Sequence, residues 1–434
     1  MDTLKRRTFL QAATAAAASR AFGANDRVNV AVIGLRGRGR DHMTIYGKQP
    51  GVRIAAVCDI DQAQIERAQQ LVEKTQGSKA DKTYTDLRQL FADKDIDAVS
   101  IATCNHWHAL STIWACQAGK DVYIEKPASH NVWEGRKMIE AARKYNRIVQ
   151  VGMQSRSMDH KIKAIQMLRE GVIGKVYMAK GLCYKRRKSI GKSPDGPIPP
   201  GVDYNTWLGP APMRPFNPNR FHYNWHWFWD TGNGDIGNQG VHEMDVARWG
   251  LGQNTLPKHV VSTGGKFIYD DDQETPNTLL STFDYGDAQL MFEVRGIHTG
   301  GESSVALEGG NFIGNLFFGS EGHMALDYTG YQVYLGEKRE LAHDYKVPRG
   351  GEDNTTPHVR NFLSAVRSRK RESLTGDIEQ GHYSAALCHL ANISYRTGRK
   401  LEFDPAAERF VGDAQANSMI SREYRAPFVV PANV

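Results

Sequence analysis

VNVAVIGLRGRG, residues Val28 to Gly39, decides how the first half of the chain folds. Val28–Ile33 is short, apolar and rich in β-branched residues, which predicts a strand buried on both faces of a parallel sheet. It runs into Gly34-Leu-Arg-Gly-Arg-Gly39 and then a helical stretch. Strand, glycine turn and helix start make a phosphate cradle, because the first N–H groups of a helix have no internal acceptor. The usual spacing is G-x-G-x-x-G. Gly34 and Gly39 stand at its ends, whereas Arg36 takes the middle position and Gly37 follows it.

The next strand, Arg53–Cys58, ends at Asp59, 25 residues after Gly34. An acid there accepts hydrogen bonds from ribose hydroxyls, which favours NAD. Arg36 and Arg38 keep NADP as the alternative, since an arginine holds a 2′-phosphate. The alternation continues with a helix over Thr85–Phe91, a strand over Ala98–Ala102, the loop Thr103–His108 and a helix to Ala118. A strand at Asp121–Ile124, a helix at Trp133–Tyr145 and a strand at Arg147–Val151 complete it. Repeated β-α units predict a doubly wound parallel sheet with ligands at the carboxyl ends of its strands. One edge then carries Gly34, Arg36, Gly37, Arg38, Gly39, Asp59, Thr103, Asn105, His106, His108, Glu125 and Lys126 as cofactor-binding candidates.

From about Lys175 the pattern changes. Val176–Cys183, Lys258–Ile268, Thr278–Tyr285, Gln289–Arg295, Ser304–Leu307 and Met324–Tyr328 read as strands with few helices between them. That predicts a large, mostly antiparallel sheet, one face on helices and the other open to a second subunit. The Pro-rich segment Ser193–Pro218 reads as a long surface loop, a lid or arm. His358–Ser368 and Asp377–Thr397 read as helices, the last packing back on the first domain. The expected organisation is a leader over residues 1–24, a dinucleotide domain over 25–152 and a substrate and oligomerisation domain over 153–434.

With 434 residues the chain has room for two full cores. Its formal charge of +7 falls by three when Lys5, Arg6, Arg7 and Arg20 are set against Asp2, and the remainder does not argue for nucleic acid. The basic run Lys185–Lys188 reads as a solvated loop or a contact for an anionic substrate. Five cysteines, widely spaced and without C-x-x-C, exclude a disulfide framework and a structural zinc site. Lys5-Arg6-Arg7-Thr8-Phe9-Leu10 followed by an alanine-rich run resembles a twin-arginine export signal, which implies the translocation machinery as a partner and a periplasmic destination. The run is too short and too weakly apolar to span a membrane.

The stretch Asn224–Trp249 holds four tryptophans, two histidines and four carboxylates. Glycines at 232, 234, 237 and 240 separate its aromatic half from a polar half that turns helical at His242. Two readings stand: a glycine-rich loop over a core helix, or a pocket in which Trp225, Trp227 or Trp229 stacks on a sugar face and His226, Asn238 and His242 fix its hydroxyls. A metal on His222, His226 and His242 is weighed and set aside, since His-Glu-Met-Asp is not a zinc motif.

Taken in order, the Gly34–Gly39 turn, Asp59, the Thr103–His108 loop, Glu125-Lys126-Pro127 and Gly232–Asp245 resemble the Gfo/Idh/MocA oxidoreductases, the glucose–fructose oxidoreductase and inositol dehydrogenase group. The resemblance covers nearly the whole mature chain. It implies a Rossmann domain, an α/β domain with an open sheet, NAD(P), a sugar or polyol substrate and homo-oligomers through the sheet. It also implies that Lys126 sits beside the nicotinamide as proton relay and that His242 is the site histidine. Asn238 stands where many relatives carry Asp, and an amide does not take a proton. Asp235 is therefore a further catalytic candidate, and Asp245 an orienter of His242 one helical turn on.

Three activities follow as expectations. The first is oxidation of a sugar hydroxyl with tightly held NAD, since an exported enzyme has no assured supply of free nucleotide. The second is redox-neutral glycoside hydrolysis by oxidation, elimination, addition and reduction. The third is a non-catalytic sugar-binding protein.

Overall fold

A computed structural model describes residues 27–299 and 312–434. The leader read over residues 1–24 and the strand expected at Ser304–Leu307 lie outside the described residues.

Six strands build the first sheet: β1 (Val28–Ile33), β2 (Val52–Cys58), β3 (Lys82–Tyr84), β4 (Ala98–Ile101), β5 (Asp121–Ile124) and β6 (Val149–Val151). Their order is β3-β2-β1-β4-β5-β6, and every neighbouring pair is parallel. This is the doubly wound order, whose direction of winding reverses between β1 and β4. All residues of β4, β5 and β6 are buried, the polar Ser100, Asp121 and Gln150 included, as in strands covered on both faces. The carboxyl ends of β1 and β4 therefore open a crevice, and the chain fills its rim with Gly34 and Thr103.

The second sheet contains β7 (Val176–Tyr184), β8 (His259–Gly265), β9 (Thr278–Asp284), β10 (Gln289–Arg295), β11 (Phe312–Gly319), β12 (Gly322–Asp327), β13 (Gly330–Leu335), β14 (Glu340–Lys346), β15 (Leu401–Asp404) and β16 (Arg409–Phe410). Its ten strands run in the order β14-β13-β12-β11-β7-β10-β9-β8-β15-β16. Only the pairing of β7 with β10 is parallel among these. Leu279 and Phe283 alternate inward with Leu280, which is exposed, so the sheet buries one face. That face meets the helices Asp159–Arg169, Val241–Gly250 and Ile378–Thr397 through Leu168, Met244 and Leu390. Each such fully buried side chain contributes about 1.5–3 kcal/mol. Helix Ile378–Thr397 also places Ile378 and Ala385 in the first domain's core beside Ile139 and Val151.

The segment read as a surface loop, lid or arm over Ser193–Pro218 is exposed from Pro194 to Ile198 and docked from Tyr204 onward. Tyr204, Trp207, Leu208 and Phe216 form a buried aromatic cluster with Phe221 and Trp225, packed on Ile60 and Cys104. Its backbone joins the first domain where Asp203 N–H donates to Ile60 O at 2.9 Å and Gln62 N–H donates to Gly201 O at 3.1 Å. Aromatic area makes the docking favourable, because each ring removes far more apolar surface than a loop's polar residues. The arm thus roofs the crevice at the carboxyl ends of the parallel strands.

Candidate active site

One cavity of about 740 Å³ runs from the glycine turn to the large sheet. At one end it is lined by Gly34, Arg36, Gly37, Arg38 and Asp59, and at the other by Lys126, Asn238 and His242. Gly39 approaches Gly34 so closely that a Cβ would lie 1.8 Å from Gly34 O, and only glycine closes this turn. Arg36 to Arg38 lie at the start of the helix Arg38–Tyr46, whose leading N–H groups have no intrahelical acceptor. Asp59 accepts from Leu35 N–H at 2.7 Å and from Asp61 N–H at 3.1 Å. Burial raises its carboxyl to about 6 against those two bonds. Thr103 Oγ1 is buried without a partner on the same wall. An anion cradle, an acid at the end of β2 and an orphaned hydroxyl fit a dinucleotide.

Glu125 and Lys126 leave the end of β5, and the Lys126–Pro127 peptide bond is cis. Glu125 accepts from Arg38 Nε at 2.8 Å, His42 Nε2 at 3.0 Å and Gln154 Nε2 at 3.4 Å. Burial pushes its carboxyl up, but Arg38 and His42 outweigh burial and hold it well below the usual carboxylate range. Arg38 also donates to Thr355 Oγ1 at 2.9 Å, so its guanidinium is engaged rather than free for a 2′-phosphate. Lys126 Nζ donates to the main-chain oxygen of Asn238 at 2.6 Å. Burial lowers its ammonium, Glu125 opposes that, and the charge of Arg38 adds to the lowering. His242 lines the same cavity, and burial pulls its imidazole down to about 3, with the charge of Lys126 adding to it. It is therefore neutral and able to accept a hydrogen bond.

The stretch Gly232–Asp245 folds as a π turn over Ile236–Gly240 followed by the helix Val241–Gly250. Such turns mark places where a helix re-aims side chains. A Cβ on Gly240 would lie 2.3 Å from the Phe292 ring, so glycine lets the turn sit on β10. The turn presents Asn238, Gln239 and His242 to the cavity. Asp235 does not line it. Arg187 holds that carboxylate with two bonds of 2.6 and 3.0 Å, and it also accepts from Asn238 Nδ2 at 3.3 Å. The basic run thus contributes a structural cation rather than a solvated patch at Arg187. Asp245 is likewise committed, to Arg156 at 2.8 and 2.9 Å and to Ser384 Oγ at 2.6 Å, not to His242.

Of the tryptophan run, Trp225 faces the cavity together with His226, on whose ring it stacks at 3.6 Å. Trp227 and Trp229 do not line it: Trp227 is buried beneath the Arg187 guanidinium and Trp229 lies under Arg396. Of the Thr103–His108 loop, Thr103 and Asn105 line the cavity, and Asn105 donates to Asn233 Oδ1 at 2.9 Å. His106 and His108 lie behind the wall. The His106 ring nitrogens meet the main-chain oxygens of Thr231 and Trp207, and those of His108 meet Pro127 and Thr103. His222 pairs with Asp61 at 3.3 Å, and no group of three or more metal-ligating side chains occurs among the described residues. Sequence reading passed over Trp207, Gln154, Ser155, Gln239 and Tyr328, which also line the cavity. None belongs to a spaced motif; only the fold brings them together.

Fold and site together define a protein of the dinucleotide-binding Rossmann class. Residues 28–153 match the family described as "Oxidoreductase family, NAD-binding Rossmann fold", and residues 159–292 and 302–430 match its "C-terminal alpha/beta domain". The chain belongs to the Gfo/Idh/MocA oxidoreductase family, and it is an NAD-binding enzyme. Curated relatives include a glycosyl hydrolase family 109 protein of Saccharopolyspora erythraea, 29% identical over 165 residues, 37% of this chain and 36% of that one. Another, of Shewanella sp. strain ANA-3, is 30% identical over 152 residues, 34% of this chain and 33% of its own. The chain thus spans about a third of the length of these relatives. Among solved structures it is similar in fold to a levoglucosan dehydrogenase in complex with NADH and levoglucosan, with TM-score 0.65 and 19% identity, covering 87% of this chain and 99% of that one. It is also similar to an aldose–aldose oxidoreductase from Caulobacter crescentus complexed with glycerol, with TM-score 0.65 and 17% identity, covering 87% and 100%.

Proposed function

We propose that this enzyme oxidises a hydroxyl of a sugar or polyol against an NAD that it retains through the catalytic cycle. The observation that carries this is the continuity of one cavity from the Gly34 turn and Asp59 to Lys126 and His242. Bound NAD supplies the hydride acceptor. The chain's own groups do the rest. Lys126, with its ammonium lowered by burial, takes or relays the hydroxyl proton, and neutral His242 accepts a hydrogen bond from the same substrate. Trp225 and Trp207 offer apolar faces for the sugar ring, and the docked arm keeps water away.

Purified enzyme is expected to carry nucleotide detectable by mass, and a sugar panel followed at 340 nm is expected to reduce it. Lys126→Ala should lose turnover by about 10²–10⁴-fold while retaining its fold. Full activity in that variant would refute the assignment.

A second reading is redox-neutral hydrolysis of a glycoside. It is favoured by the relatives whose names are glycosyl hydrolase family 109 protein. Release of a nitrophenol from an aryl glycoside without net NADH selects this reading, and net NADH or sugar-to-sugar transfer selects the first. We also propose that Arg6 and Arg7 direct export, and that Arg6→Lys with Arg7→Lys leaves the enzyme in the cytoplasmic fraction. Unchanged export of that variant would refute it.

A further inference from the structure

The cavity has another set of proton-bearing groups besides Lys126 and His242. Tyr328 follows β12 and lines the cavity, as do Ser155, in the turn after β6, and Gln239 in the π turn. The Tyr328 hydroxyl lies beside the Ser155 and Gln239 side chains. Lys161, on the helix Asp159–Arg169, is 1% exposed and donates from Nζ to Ser155 Oγ at 3.1 Å. The same Nζ stands 3.8 Å from the centre of the Tyr328 ring. Glu243, next to His242 but 2% exposed, accepts from Gln239 Nε2 at 3.4 Å, and its Oε2 is buried with no partner. A buried lysine without a 4 Å carboxylate partner, beside a buried carboxyl with an orphaned oxygen, is costly and serves packing poorly.

We propose that Lys161, Ser155 and Tyr328 form a second proton relay of the substrate cavity, with Glu243 as the positioning residue whose carboxyl sets the electrostatic surroundings of Lys161. This rests on the reading of the cavity as the site of a sugar or glycoside. The transfer is a hydroxyl chain. The Lys161 ammonium gives a proton to Ser155 Oγ, Ser155 gives its own to Tyr328 Oη, and Tyr328 gives its own to a substrate oxygen. Lys161 ends as the amine, both hydroxyls are regenerated, and the substrate oxygen gains one proton. Oxidising one hydroxyl needs only Lys126 and His242. A second relay serves a second oxygen, one that departs when a C–O bond breaks, and so fits a glycoside better than a free polyol.

The charge environment agrees with proton storage. Burial lowers the Lys161 ammonium to about 8, with Glu243, Asp327 and Asp245 opposing. Burial raises the Glu243 carboxyl to about 8, with Lys161 and more weakly Lys126 opposing. Burial and Glu243 keep the Tyr328 phenol neutral and a donor. Cys183 also faces Glu243, and Asp245 is neutralised by Arg156.

Two measurements test this. Infrared difference spectra of wild type against Glu243→Gln, titrated with pH, should show a protonated-carboxyl band at neutral pH that belongs to Glu243 and disappears on alkaline titration. In Lys161→Met that band should persist to higher pH. Absence of any such band would overturn the role of Glu243, whatever the enzyme turns over. Kinetics test delivery. Tyr328→Phe and Ser155→Ala should each lower kcat on aryl glycosides about 10²-fold or more, with little change in KM, and Lys161→Met should remove the alkaline limb of the pH profile. Wild-type kcat and pH profile in both hydroxyl variants, or a change confined to KM, would overturn the relay. Tyr328→Phe deletes one atom, so it keeps the test open should a Lys161 or Glu243 variant not fold. If the carboxyl band behaves as described but wild type neither reduces its NAD nor releases aglycone, the functional reading fails and the role of Glu243 stands.

Discussion

Replacing Asp235 by Asn separates a catalytic carboxylate from a structural one. Asp235 is 3% exposed and doubly bonded to Arg187, whose side chain is 17% exposed. Removing one partner of such a pair leaves the other charge buried, which costs about 3–5 kcal/mol. The residual access of water to Arg187 puts the expected loss near the lower end. The bond from Asn238 to Asp235 adds about 1 kcal/mol where the amide cannot re-pair. Arg187→Met should cost a similar amount. The double variant should cost less than the sum of the two by about 1–3 kcal/mol, because neither charge is then left alone. Urea denaturation of the four proteins measures this cycle. The pH profile gives an independent reading. The charge of Asp235 raises the Lys126 ammonium and that of Arg187 lowers it. Asp235→Asn should therefore move the Lys126 limb to lower pH, Arg187→Met should move it to higher pH, and the double variant should return it towards wild type. Strict additivity of stability, or loss of turnover in Asp235→Asn with an unmoved limb and full stability, would refute the structural assignment and restore Asp235 as a catalytic base.

Asp59 accepts ribose hydroxyls most strongly when ionised, and burial raises its carboxyl to about 6. The affinity of nucleotide-free enzyme for NAD should fall as pH drops through about 6, by up to about tenfold per unit, and calorimetry of Asp59→Asn should show a flat profile. Glu125→Gln should cost about 3–5 kcal/mol at pH 7, because the half-buried Arg38 guanidinium loses the negative charge of the acceptor it shares with His42. Since the folded carboxyl lies below its unfolded value, that contribution is complete above about pH 4.5 and shrinks as pH falls, so the two denaturation curves should converge in acid. Trp225→Ala should raise KM for sugar by roughly tenfold, about 1–1.5 kcal/mol of ring contact, whereas Trp229→Ala should leave KM unchanged. Equal effects of the two would move the substrate wall.

The parts read correctly from sequence are those whose signal is local. β1 announces itself because a strand covered on both faces is rich in buried β-branched residues, as Val28, Val30, Val32 and Ile33 are, and Asp59 lies at the end of the next strand. β14 carries no signal because an edge needs no buried face: all seven of its residues are exposed, so no period marks it, and β13 beside it buries only Gly330 and Val333. The arm over Ser193–Pro218 reads as a surface loop because its prolines are evident, and the docking of its second half is not legible because its partners Ile60 and Cys104 are distant in sequence. Arg187 and Asp235 are separated by 48 positions, and nothing in either neighbourhood signals the pair. Asn238 shows the limit most sharply. As a residue type it argued against proton transfer, yet the contact that Lys126 makes is with its main-chain oxygen, which an aspartate would present equally. What the amide changes is the other side. An aspartate there would face Asp235 at 3.3 Å as a second carboxylate, a repulsion that raises the pKa of one of the two. Asn238 is therefore better understood as a donor to Asp235 beside Arg187 than as a lost base, and Asn238→Asp should weaken the enzyme's stability rather than supply a proton acceptor.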